Sequence, residues 1–318
     1  MTSTPLPTLN GDELVVGDVR VSFQRTLRTP EHGVHPLPPG LGRFPLRRVA
    51  DYPDTTPSAW QEKGGVMLPV YQREAMWLSL DSAAPAALKV GVGKVNAVSG
   101  QAWSDVLAAE LQNYLAVPLQ PWLDGINSGD GTVRQFIAVR HGLGATVEGQ
   151  VTGEEAHGGL QLAVHALTPE ARKRSRALPR PSYDAFAVPC AGAAMGIGAG
   201  GTMRQEIYDD DRPLSDYVAA ETARVFVHLC SASQWRAITG EEPPVTPVSA
   251  RAYTHAGLPW FDYYDADAAD LPPSQALADV KPVDDWLGED PDLEGLQQPA
   301  WVVSVGPSAG APVADGTW

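Results

Sequence analysis

Cysteine is nearly absent from this chain of 318 residues, which has only Cys190 and Cys230. Two thiols exclude a disulfide-stapled scaffold and fit a reducing compartment. The segment Met1 to Asn10 has no basic region and no apolar stretch, so no secretory signal is expected and the predicted location is cytoplasmic. Leucine-rich apolar runs are also missing. The stretch 185–203 is uncharged, but it holds five glycines and Pro189 and is built mainly on alanine. It is too poor in Leu, Ile and Phe for a membrane span, and it reads as a buried strand with a glycine-rich turn. Positive charge is scarce: 23 Lys and Arg face 38 Asp and Glu, a formal net charge of -15. That excludes a nucleic-acid protein whose whole surface is the binding face.

Recognisable reaction motifs are few. No Walker-type phosphate loop occurs, and the glycine-rich segment Gly196 to Gly201 opens a strand instead of a helix, which speaks against dinucleotide binding. His32-x-x-His35 lacks the further ligands that zinc needs, and the loop Asp124 to Gly131 lacks the alternating acids and closing glutamate of a calcium loop. No metal and no cofactor are expected. Cys230 follows His228 by two residues, which puts both on one strand face without making them a nucleophile–base pair.

What is abundant is Gly and Pro, 31 and 29 residues, against a usual share of about 12% of a chain. Many short elements joined by turns follow from that. Val15, Val16, Val19, Val21 and Phe23 alternate around Gly17-Asp18 as a β-hairpin. Seven prolines between Pro30 and Pro57 mark an extended strap. Strands are predicted at 66–71, 75–80, 88–98, 133–139, 146–151, 160–164, 202–208 and 224–229. Ser104 and Ser231 or Ser233 are expected to cap helices. Charge is uneven: Asp262 to Glu294 carries eleven acids against Lys281, while Arg172, Lys173, Arg174, Arg176 and Arg180 form a basic run.

One segment recurs. Gly131-Thr132-Val133-Arg134-Gln135-Phe136-Ile137 matches Gly201-Thr202-Met203-Arg204-Gln205-Glu206-Ile207 at five of seven positions. The physical reading is a duplicated β-unit whose equivalent strands pair across a pseudo-dyad. Arg134 and Arg204 would then form a two-fold anion site, since guanidinium forks bind carboxylate or phosphate bidentately. With His228 and a carboxylate such as Glu148, they are the candidates for a reaction site. The densest aromatic cluster, with Tyr253, Trp260, Tyr263 and Tyr264, joins Trp301 of the tail as the candidate binding surface.

The segments Tyr71 to Trp77, Gln120 to Ile126, Thr146 to Gly153 and Ala256 to Tyr264 resemble a family of uncharacterised proteins of high-GC Gram-positive bacteria and filamentous fungi. Five lysines against eighteen arginines fit such a genome. The resemblance spans most of Leu14 to Asp270 and implies a whole-length unit; it supplies no catalytic residues. Members are sometimes labelled integral membrane proteins, and the composition above argues against that.

The expected fold is mainly β: two related antiparallel β-sandwich-like units, a small C-terminal helical cap and an acidic tail. The expected division is a first unit at 1–167, a basic linker at 168–185, a second unit at 186–261 and the tail at 262–318. The expected function is a non-catalytic cytoplasmic protein-interaction or assembly protein. Its partner would be another protein or a second copy, with no nucleic acid and no membrane span. The alternative is a hydrolase or lyase using Arg134, Arg204, His228 and Glu148 between the units.

Overall fold

The computed structural model describes residues 6–175, 195–244, 260–263, 269–272, 274–288 and 302–305, and the architecture is mainly antiparallel β-sheet. The expected hairpin forms first: β1 (Glu13–Val16) pairs with β2 (Val19–Thr26), with Leu14 opposite Val21. The turn Gly17 sits at a φ of 58° under Val164, a position that only glycine fills without strain. β2 then runs along β4 (Ala75–Ser82) from Val19–Ser82 to Thr26–Ala75. β4 meets β7 (Thr132–Arg140), which also carries the short strand β6 (Gly125–Gly129). Beyond β7 lies β9 (Met195–Arg204). The ribbon order is β1-β2-β4-β7-β9.

A second ribbon runs from β5 (Ala86–Val92) to β8 (Leu160–Ala166) to β10 (Ala223–Ser231), all antiparallel, and ends on β3 (Val66–Val70), parallel to β10. The ribbons join where Met195 of β9 pairs with Leu229 of β10. Their apolar faces make one core: Val21, Phe23, Leu78 and Phe136 from the first pack in one cluster with Leu88, Leu162, Val164 and Val227 from the second. Alternate residues of β2, β4, β5 and β8 point into this cluster, as the pleat requires, and β7 resumes the alternation after a register break between Arg134 and Phe136. Burial of side chains of this size contributes about 1.5–3 kcal/mol each before the ordering cost is counted.

Three expectations change. First, the ribbons do not divide at the 168–185 segment: β9 and β10 hydrogen-bond to strands from the first half, so both stretches share one sheet instead of building separate sandwich-like units. Second, 146–151 is not a strand. It is helix α2 (Val147–Thr152), the next after α1 (Ser58–Lys63), capped by Thr146 Oγ1, which accepts from Gly149 N at 2.9 Å, and closed by Gly153 at a φ of 83°. Third, 105–111 forms turns and no helix. Further on, α3 (Pro169–Arg174) lies in the basic run, where Arg172 pairs with Asp18 at 2.6 Å and Arg174 with Asp216 at 2.6 Å. Ser231 caps α4 (Ala232–Thr239), which ends on Gly240 in the left-handed region. Two short helices follow, α5 (Gln275–Ala278) and α6 (Val283–Leu287). Leu271, Leu277, Val280 and Val283 between them are buried, so this part of the expected tail belongs to the core.

Candidate functional site

The repeated segments lie side by side. β7 and β9 pair so that Thr132 faces Arg204, Val133 faces Met203 and Arg134 faces Thr202, a local two-fold arrangement of the two copies. Arg134 and Arg204 therefore share a sheet face as diagonal neighbours, about 7–8 Å apart at Cα by strand geometry. Their environments differ. Arg134 Nη1 donates to Val280 O at 2.8 Å, while its Nε is buried without a hydrogen bond. Arg204 ends its strand and is exposed. The matched glutamines are both buried and both clamp backbone. Gln135 Nε2 donates to Leu27 O, and its Oε1 accepts from Thr29 N. Gln205 Oε1 accepts from Asp124 N, and its Nε2 donates to Asp124 Oδ2 at 2.8 Å.

His228 sits on the outward face of β10, between the rings of Trp60 at 4.5 Å and Phe226 at 4.6 Å. Its Nε2 donates to Gly64 O at 2.9 Å. Burial lowers the pKa of its imidazole to about 4, so at neutral pH it is an uncharged donor held in a ring stack. Two residues on, the free thiol of Cys230 donates to Leu68 O, and burial pushes its pKa up. Glu148 has a different task, on the first turn of α2. Its Oε1 accepts from Ala156 N at 3.0 Å and His157 N at 2.7 Å, and its Oε2 from Gly158 N at 2.8 Å. The carboxylate thus staples the 156–158 loop to the helix. Arg134 and Arg204 stand side by side, while His228 and Glu148 are each held by partners of their own, so no contact among the described residues joins the four around one cleft. Of the candidate binding aromatics, Trp260 and Tyr263 lie on a strand parallel to Val302–Val305. Tyr253, Tyr264 and Trp301 fall outside the described residues.

The glycine-rich stretch 196–201 does have Gly-x-Gly-x-x-Gly spacing, yet it lies wholly within β9. Its glycines serve close approach: a Cβ at Gly198 would meet Val283 Cγ2 at 2.7 Å, and one at Gly201 would meet Pro30 O at 2.0 Å. No Gly-x-Ser-x-Gly elbow is expected from the sequence, yet Gly306-Pro307-Ser308-Ala309-Gly310 has that spacing after the strand Val302–Val305. An elbow needs a helix directly after its serine, and Gly310 and Pro312 disfavour one; the segment lies outside the described residues.

Several buried ionisable groups went unforeseen. Lys89 on β5 and His165 on β8 are fully buried diagonal neighbours on the face turned away from the main core. Lys89 Nζ donates to Ser104 O, lies 3.6 Å from Glu221 Oε1 and sits 4.7 Å above the Trp103 ring. Burial lowers the pKa of Lys89 and of His165 and raises that of Glu221, each toward its uncharged form. Elsewhere Arg25 and Glu74 form an enclosed ion pair at 2.7 Å. The alternation of Leu88-Lys89-Val90 marks Lys89 as outward-facing, but only the distant turn at Trp103 and Ser104 buries it. Among the described residues no group of three or more His, Cys, Asp or Glu is arranged to hold a metal ion. No helix there is long and apolar enough to cross a membrane. Compared with protein-family models, curated proteins and solved structures, the chain matches none.

Proposed function

We propose that this chain is a non-catalytic cytoplasmic protein that acts by association, with another protein or with a second copy of itself. The observation that supports this reading is the dispersal of its candidate reaction groups. Arg134 is bonded to Val280 O, His228 is stacked and neutral, and Glu148 is spent on three backbone N–H groups. A hydrolase or lyase built on these residues would need them within hydrogen-bond reach of one substrate. Lys89, the other nucleophile class, has no exposed side-chain surface. For association, the chain offers its acidic C-terminal stretch. Asp284 there is engaged inward, by Arg28 and by Arg73, which directs attention to Glu289, Asp290, Asp292 and Glu294.

The test is the native mass of the full-length protein, purified and in extracts of its source cells, beside a variant with E289Q, D290N, D292N and E294Q. The expected result is an assembly larger than one chain that the neutralised variant loses in part or whole, with higher salt acting in the same direction. A protein that keeps the mass of a single chain in both settings overturns the reading.

A further inference from the structure

A cavity of about 200 Å³ opens beside the end of the paired repeats, between the 109–112 turn, β6 and the 270–272 segment. At about 30 Å³ of liquid volume per water, that is room for roughly six waters or one small organic molecule. Asp270 lines it. Oδ2 accepts from Gly131 N at 2.8 Å, at the start of one repeat copy, and Oδ1 from Ile207 N at 3.1 Å, at the end of the other. Asp209 and Glu110 stand exposed at the mouth, with no ion-pair partner among the described residues. Val98 and Leu271 supply apolar wall.

Asn127 is the second, independent element. It lines this cavity while only 3% of its surface is exposed. Its Oδ1 accepts from Gly129 N at 2.9 Å, which fixes the amide and directs the Nδ2 group the other way. Nδ2 has no hydrogen-bond partner among the described residues and is not fully enclosed, so it is a donor open to water or a ligand. The neighbouring Gln112 shows the contrast. Its Nε2 serves Tyr114 O and Tyr208 O, and its Oε1 serves Asp210 N.

We propose that this cavity binds a small primary ammonium compound carrying a hydrogen-bond acceptor, with its nitrogen among Asp270, Asp209 and Glu110 and its acceptor on Asn127 Nδ2. Burial raises the pKa of the Asp270 carboxyl, and a cation bound beside it would draw that pKa down again. The overall charge of -15 draws cations toward the protein. This site is independent of the assembly reading, and either can fail without the other.

The experiment is a titration of the full-length protein with 2-methoxyethylamine and with n-butylamine, followed by calorimetry and by the amide resonances of Asn127, Asp209 and Leu271. The two amines have the same length, and only the first carries an acceptor, an ether oxygen that cannot donate. Ligands of this size are expected to bind in about the millimolar range. The ether amine is expected to bind about fivefold more tightly, the worth of one neutral hydrogen bond. Asn127→Asp keeps the acceptor for Gly129 N and places a second oxygen where Nδ2 stood, so it is expected to reverse that preference. Asp209→Asn, at an exposed carboxylate, is expected to weaken both amines about threefold and leave the fold intact. No shift at these residues with either amine overturns the proposal, as does equal binding of both amines that Asn127→Asp leaves unchanged. A response to calcium alone overturns it as well.

Discussion

Among the described residues no cation lies beside the carboxyl group of Asp124. It is 2% exposed, its single side-chain partner is Gln205, and burial raises its pKa from the ordinary carboxylate range to about 7. The folded protein therefore holds a proton there that the unfolded chain releases near pH 4. Stability from this group is fully present below about pH 4, is lost as pH rises toward 7, and is level above that. The slope is about 1.4 kcal/mol per pH unit, so over roughly three units the loss totals about 4 kcal/mol. Asp124→Asn removes the titration. Its stability relative to wild type is expected to improve steadily from pH 4 to 7 and then hold constant, as read by urea unfolding at a series of pH values. A difference that does not vary with pH would show that Asp124 is charged in the fold. The repeat sets Gln135 and Gln205 at matched places, but only its arginines read as site candidates. The Asp124 side of the contact is not legible either. Asp124 reads as the first residue of an Asx-type turn, and only the pairing of β6 and β7 encloses it.

Helix α2 shows how one acid can define an element. Glu148 accepts three backbone N–H groups from 156–158 and is 3% exposed. Removing it leaves the N–H of buried Gly158 unmet and returns those of exposed Ala156 and His157 to water, and each charge-assisted bond is worth about 1.5–3 kcal/mol. Glu148→Ala is expected to lower stability by about 3 kcal/mol or more in denaturant unfolding and to speed hydrogen exchange at Ala156, His157 and Gly158. Glu148→Gln retains some of the acceptors and is expected to cost about half as much. Wild-type stability in the alanine variant would remove Glu148 from its structural role. Local sequence misled here for a definite reason. Thr146-Val147-Glu148-Gly149-Gln150-Val151 alternates apolar and polar residues, the pattern of a strand, and Gly149 has poor helix propensity. The cap at Thr146 and the left-handed Gly153 outweigh both. Elements with a cap and period in agreement, such as the β1–β2 hairpin and α4 between Ser231 and Gly240, were legible without the structure.

Across the whole molecule the decisive feature is how the strands interleave. β9, which follows the basic run, lies against β7 of the first half along eight register pairs, and β10 sits between β8 and β3. Sequence order suggested two successive β-units, because a repeat in the chain is naturally read as a repeat in space. Strand pairing at long range, invisible in local pattern, set the two copies edge to edge instead. Leu277 and Val280 of the late segment close the same core, and Val283 packs with Ile137 and Val139 of β7 in a smaller cluster. No described group of strands can then lose its partners while the other keeps a complete core. The chain is expected to unfold in a single cooperative transition, with equal calorimetric and van't Hoff enthalpies and coincident loss of signal from Trp77 in the first ribbon and Trp60 beside β10. Two separated calorimetric peaks, one of them abolished by a destabilising change confined to β10 such as Val227→Ala, would mean that the halves fold independently. The edge-to-edge placement of Arg134 and Arg204 would then be an encounter of two domains instead of the centre of one sheet.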